Sequence, residues 1–172
     1  MFAAWLCAYG RLWGLTLAPA AGVALVGRPL SSATRKLLGL TLTASENPPP
    51  HVSQILSLAA HNIPIAAWPL LLGVAGCDRR IVTRRVGDSM VWACALANTV
   101  PVGGALGAYG TVLLAYIPQL PVEWAGLALG YGSWLVQRSR PMGCRERLAW
   151  LALITALLMV AAGLESLAVP HG

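Results

Sequence analysis

Two glutamates in apolar surroundings are the side chains best able to do chemistry in this sequence. Glu165 lies near the end of an uncharged run that begins after Arg147, and Glu123 follows a short turn that contains Pro121. A charged side chain at the centre of a bilayer costs about 2.5–3.5 kcal/mol on insertion scales. Each carboxylate therefore needs a protein interior or the water interface as its environment.

Residue spacing puts both carboxylates on helix faces that also carry small residues. At 3.6 residues per turn, Glu123 shares a face with Gly126 and Gly130, and Glu165 shares a stripe with Ala162. Small residues mark the faces along which helices approach each other in lipid. We therefore expect both carboxylates to face neighbouring helices.

Amide side chains could join these carboxylates in one polar cluster. Both glutamates fall at the ends of predicted helices that would lie on the same side of a membrane, so antiparallel neighbours would hold them at similar depth. The predicted intramembrane cluster consists of Asn62, Asn98, Gln119, Glu123 and Glu165. The alternative is that each carboxylate reaches the headgroup water on its own.

Composition indicates a membrane protein. Of the 172 residues, 57% are apolar and 10% are charged, whereas an average soluble domain has roughly 25% charged residues. The mean hydropathy is +0.67, and several long runs carry no charge. We expect an all-α polytopic membrane protein, with residues 1–172 forming a single integral membrane domain.

Five segments are apolar and long enough to cross the bilayer, which takes about 20 residues in a helix. They cover about residues 12–27, with a start that could lie earlier in the chain, 54–76, 90–117, the short stretch 121–136, and 148–169. Pro19 is expected to break the first segment. A polar extracytoplasmic loop at about 28–51 separates the first two segments, and residues 33–44 within it could form an interfacial amphipathic helix.

The positive charges predict the orientation of this five-helix bundle. With the N-terminus inside, nine arginines face the cytoplasm: Arg11, the four in 79–85 and the four in 138–147. Only Arg28, Arg35 and Lys36 face outward. The positive-inside rule therefore places the N-terminus in the cytoplasm and the C-terminus outside. Because the net charge of +6 comes from short loops between apolar runs, we do not expect nucleic-acid binding.

Glycine pairs predict where helices pack closely. Gly103 and Gly107 form one GxxxG pattern in the third segment, and Gly126 and Gly130 form another in the fourth. Such patterns let two backbones approach closely in lipid. We expect them to form the packing faces of the bundle.

No arrangement of residues favours an enzyme. A serine protease needs its serine and histidine side by side, but Ser133 and His61 are predicted near opposite membrane surfaces. Asp78 and Asp88 are assigned to a basic cytoplasmic loop, which excludes a pair of intramembrane aspartates, and no phosphate-binding GxxxxGK[ST] loop is present. Acid–base work by a glutamate pair stays open as the alternative.

Metals, cofactors and disulfides are not expected either. The His61-Asn62 pair is interpreted as polar glue in a proline-containing helix, because a zinc site needs three or four convergent ligands. No HExxH pattern is present. The four cysteines have no paired spacing: Cys7, Cys77, Cys94 and Cys144.

Three stretches, taken in order, resemble the stage II sporulation protein M family over about residues 55–170. They read ILSLAAHNIPIAAWPLLLGVAG, IPQLPVEWAGLALGYGSWL and LLMVAAGLESLAVP. The resemblance implies a five-helix membrane protein in which Asn62, Asn98, Glu123 and Glu165 occupy the positions of family motifs. Two departures are Gln119-Leu120, where the family usually has His-Gly, and Thr99, where it usually has Gly.

The resemblance implies a non-enzymatic component of a bacterial cell membrane. One expected role is a scaffold that recruits membrane or wall-associated proteins. The alternative is a permease-like component of a peptide export, maturation or immunity system of the bacteriocin type, with an ATPase subunit as a candidate partner. The lipid bilayer is the surrounding medium in both, and a homo-oligomer is compatible with either.

Overall fold

The computed structural model describes residues 2–38, 52–115 and 117–168, and this part of the chain is helical without strands. The predicted all-α class is therefore confirmed. The α-helices are α1 (Phe2–Val26), α2 (Arg28–Leu38), α3 (Val52–Val74), α4 (Ile81–Tyr109), α5 (Leu120–Ser139) and α6 (Cys144–Ala168), and a 3-10 helix, Gly110–Ala115, follows α4. The C-terminal residues 169–172 and the remainder of the predicted outer loop, 39–51, lie outside the described residues.

All five long helices begin before their predicted segments, and α4 ends at Tyr109, eight residues before the predicted end at 117. Helix α1 begins ten residues before residue 12 and continues through Pro19, so the predicted break at this proline is wrong. Proline locks a helical φ, and neighbouring groups can satisfy the carbonyl that it frees. Arg11 consequently lies within the helix and not at its start.

The prediction that the arginines and aspartates near residue 80 form a loop is also wrong in part. Arg84, Arg85 and Asp88 belong to the first turns of α4, and Arg145 and Arg147 belong to the start of α6. Charged residues are compatible with a helix that projects beyond the hydrocarbon. The apolar run therefore marks the part of a helix suited to lipid, and the helix itself is longer.

Helix α5 is the centre of the bundle and packs against α1, α3 and α6. Most of its residues are buried, including Trp124, Ala128 and Trp134. Helix α4 packs mainly on α1, and α2 packs across the C-terminal part of α4. Because α5 has protein on several sides, most of its side chains pack against other helices, and its glycines let those helices approach closely.

The contacts fix the relative directions of the helices. Gly103 and Gly107 of α4 meet Thr16 and Ala20 of α1 in the same order, so these two helices run parallel. In the same way, Gly73 meets Gln137 and Gly130 meets Ala66, so α3 and α5 run parallel. Helices α4 and α5 run antiparallel, because Asp88 meets Trp134 and Cys94 meets Tyr131.

Three of the helices are long and apolar enough to cross a membrane. They are Val52–Val74, Ile81–Tyr109 and Cys144–Leu167, in which an 18-residue stretch has a mean hydropathy of 1.6, 1.3 and 2.0, respectively. Many of their large apolar side chains are exposed, for example Leu71, Leu96 and Val160. Exposed apolar surface on this scale is what a lipid environment accommodates.

Glycines set the spacing between α5 and its neighbours. A Cβ added to Gly130 would overlap the carbonyl oxygen of Ala66, and one added to Gly126 would lie 3.0 Å from Leu158. In α4, a Cβ on Gly103 would overlap the Thr16 carbonyl oxygen, and a Cβ on Gly107 would overlap the Ala20 carbonyl oxygen. All four glycines that the sequence analysis singled out therefore lie at helix crossings.

We expect Gly130→Ala to destabilise the bundle by about 1–3 kcal/mol, because the added methyl group must push α3 away from α5. Thermal unfolding in detergent measures the change. Gly163→Ala is the matched control, because a Cβ at this helical glycine meets no atom within 4 Å. An equal loss of stability in the two variants would contradict the assignment of Gly130 to a tight crossing.

Candidate functional site

A small cavity between the helices collects three of the predicted cluster residues. Its volume is about 50 Å³, and its lining includes Asn62 of α3, Asn98 of α4 and Glu123 of α5. Trp124 and Leu158 close it on the apolar side. Since a cavity needs only about 10–15 Å³ of such volume to hold one water molecule, this one has room for a few waters and nothing much larger.

Glu165 lies near the end of α6, which packs against α5. Its side chain is partly exposed and does not line the cavity. The last cluster residue, Gln119, is buried one turn before Glu123, where its backbone carbonyl accepts the Glu123 N–H at 3.0 Å. The structure thus brings three members together around the cavity and places Gln119 one turn from Glu123, whereas Glu165 lies outside the cavity.

The amide side chains of Asn98 and Gln119 do not make the predicted hydrogen bonds within the cluster. The Asn98 side chain donates to the carbonyl oxygen of Cys94, one turn earlier in its own helix, at 2.7 Å. The buried Gln119 Oε1 has no hydrogen-bond partner. Within residues 2–38, 52–115 and 117–168, no side-chain hydrogen bond joins the five residues. Three of the five line one cavity, and its other lining residues are Ile65, Trp124, Leu127 and Leu158.

The histidine and serine considered for catalysis lie apart. His61 is exposed on α3, whereas Ser133 is fully buried in α5 and donates to the Gly130 carbonyl oxygen at 2.6 Å. Among the described residues, no group of three or more histidine, cysteine, aspartate or glutamate side chains could hold a metal ion. The described cysteines are free.

Sequence reasoning missed a second polar group, at the other end of α4 and α5. Asp88 accepts a hydrogen bond from the indole N–H of Trp134 at 2.8 Å and pairs with Arg138 at 3.2 Å. Nearby, the guanidinium of Arg11 lies over the ring of Trp92, 5.8 Å from its centroid. Asp88 lies in helix α4, seven residues after its first residue. The sequence analysis assigned Asp88 to a loop and therefore did not consider it for a contact between helices.

Two tryptophans and a buried threonine make hydrogen bonds that connect α1 with α5. The Trp5 indole donates to the Ala125 carbonyl oxygen at 3.2 Å, and the Trp124 indole donates to the Thr16 hydroxyl at 2.9 Å. Thr16 in turn donates to Leu12. These bonds satisfy the tryptophan N–H groups and hold α1 against the central helix.

Chemically, the cavity can hold water beside a carboxylate and two amides. Three of the lining side chains carry oxygen or nitrogen atoms that can bind water or a proton. The volume of the cavity is too small for a peptide. In comparisons with known proteins, no family model, no curated protein and no solved structure matches the chain.

The Asp88 contacts generate a prediction about two substitutions. Asp88→Asn keeps an acceptor for Trp134 and loses only the ion pair with half-exposed Arg138, so we expect a cost of about 0–1 kcal/mol. Asp88→Ala also leaves the indole N–H of Trp134 without its acceptor, and Trp134 is only 1% exposed. This variant should therefore be about 1–3 kcal/mol less stable than Asp88→Asn.

Thermal unfolding in one detergent compares the two variants. Ser89→Ala, which changes an exposed neighbour, is the control and should leave the melting temperature unchanged. Equal destabilisation by Asn and Ala at position 88 would show that the indole hydrogen bond contributes nothing.

Proposed function

We propose that the chain is a non-enzymatic, five-span membrane protein that acts as a scaffold for partner proteins. The observation that carries this proposal is the small size of the polar cavity. A space of about 50 Å³ beside Asn62, Asn98 and Glu123 holds a few waters. A path for a peptide would need a far larger volume. The larger cavity of about 660 Å³ between α1 and α4 has a mainly apolar lining and does not include these three side chains.

The helix directions support five crossings. If α1, α3, α4, α5 and α6 alternate across a bilayer and α2 does not cross, then α1 runs parallel to α4, and α3 runs parallel to α5. Those are the directions that the glycine contacts give. Helix α5, with 20 residues, is about 30 Å long, which matches the hydrocarbon thickness.

The distribution of charge supports an inward N-terminus. The end of α3, the start of α4, the end of α5 and the start of α6 lie together, and they carry the arginines at positions 79–85 and 138–147. Arg35 lies at the opposite end, where it donates to the Ala108 carbonyl oxygen. By the positive-inside rule, the arginine-rich end faces the cytoplasm.

Helix α2 is the proposed recruiting surface. Arg35 fixes one side of it to the end of α4 through the Ala108 carbonyl and the ring of Tyr109, 4.9 Å from its centroid. The other side leaves Lys36 and Leu37 exposed, Leu37 by 87%. A cation beside an exposed leucine at the outer end suits a protein surface with acidic and apolar groups.

These features agree with the resemblance to the stage II sporulation protein M family, which also implies a scaffold. The bilayer of a bacterial cell is the proposed location. The role needs no cofactor, and the carboxylates near the outer end serve packing and hydration of the bundle.

Thiol labelling tests the solid bundle against a transport cavity. In a variant without native cysteines, we expect Pro121→Cys, at the exposed outer end of α5, to react with a membrane-impermeant maleimide added from outside. Leu127→Cys, at a position that is 6% exposed and lines the polar cavity, should react only after denaturation. Rapid labelling of Leu127→Cys in intact cells would overturn the scaffold in favour of the permease-like alternative.

Co-purification from mild detergent tests recruitment by α2. The double substitution Lys36→Glu and Leu37→Ala should lower the amount of a co-purified partner by about fivefold, the effect of losing roughly 1 kcal/mol of contact. Leu167→Ala is the matched control, because this leucine of α6 is 68% exposed at the same end of the bundle. Unchanged co-purification by the α2 variant, at equal amounts in the membrane, would contradict the proposed surface.

A further inference from the structure

A cleft at the arginine-rich end combines a charged rim with an apolar floor. It lies between α1, α4 and α5 and has a volume of about 70 Å³. Arg11, Asp88 and Arg138 belong to its rim, and Leu12, Val91 and Ala95 belong to its floor. The cleft is separate from the polar cavity, with which it shares no lining residue.

The rim carries one more positive charge than negative. Asp88 is paired with Arg138 at 3.2 Å and also accepts from Trp134. Arg11 is exposed and stacked on Trp92, and within the described residues it makes no ion pair. An arginine among apolar helices needs a counter-charge or contact with headgroups to offset its cost in lipid.

We infer that this cleft receives the phosphate of an acidic phospholipid between Arg11 and Arg138, with the rest of the headgroup outside the cleft. The inference rests on the membrane placement proposed above. Basic pockets between helices on the cytoplasmic side are where acidic headgroups bind. Guanidinium groups suit phosphate oxygens because they donate paired, parallel N–H groups.

Charge complementarity and the floor of the cleft select a lipid over a free anion. Below the charged rim, the lining is apolar, and exposed Trp92 and Leu96 continue it along α4 toward the middle of the helix. An acyl chain attached to the headgroup can lie along this surface, whereas inorganic phosphate would gain nothing from it. Trp92 sits where an indole ring meets the headgroup region.

Native mass spectrometry of the purified full chain tests this binding. With equal amounts of phosphatidylglycerol and phosphatidylcholine, we expect about fivefold more bound phosphatidylglycerol, since one arginine near the surface contributes about 1 kcal/mol. Arg11→Gln should remove this preference. Arg145→Gln, which deletes an exposed charge at the same end and away from the cleft, should keep it.

Three results would overturn the inference. They are equal binding of the two lipids by the wild type, an unchanged preference in Arg11→Gln, and loss of the preference when inorganic phosphate is added at millimolar concentration. The lipid comparison uses the wild type alone, so it decides the question even if Arg11→Gln does not fold. Release of the protein from membranes by alkaline carbonate would instead show that the membrane placement has failed.

Discussion

Close contact between the backbone of α5 and its neighbours is the constraint on which the rest of the bundle depends. Gly130 admits the Ala66 carbonyl of α3, and Gly132 lies against the backbone of Ala4 and Trp5 of α1. In lipid, where helices gain little from burying apolar surface against each other, association depends on such packing and on interhelical hydrogen bonds. The packing of the central helix therefore depends on its glycines as much as on its large side chains.

Tight packing at glycines also determines where polar groups can be accommodated. The first cavity lies where α3, α4 and α5 meet around Asn62, Asn98 and Glu123. A second polar group lies toward the start of α4, where Asp88 bridges α4 to Trp134 and Arg138 of α5. Between these two levels, the Cys94 sulfur of α4 accepts from the Asn98 amide and from the Tyr131 hydroxyl of α5, both at 3.5 Å. Polar contacts therefore continue along the α4–α5 interface from one group to the other.

The sequence was sufficient to predict the helical class and the approximate place of every long helix, because long uncharged runs have few other structures available to them. Asn62, Asn98 and Glu123, which the sequence analysis assigned to one cluster, line a single cavity. The partners of the amides were not predictable. Asn98 bonds to its own helix at Cys94, and a local acceptor of this kind competes with any interhelical one.

The charged residues near helix ends show a second limit of prediction from hydropathy. Asp88 and Arg138 look like loop residues by composition, yet both are helical and join two helices. Hydropathy reports the lipid-facing part of a helix, and the segment that projects into the headgroup region has the composition of a loop. Contacts in this zone decide how the bundle meets the membrane surface. Arg11 lies over the Trp92 ring and, among the described residues, has no carboxylate paired with it, which is why we propose that a lipid phosphate binds there.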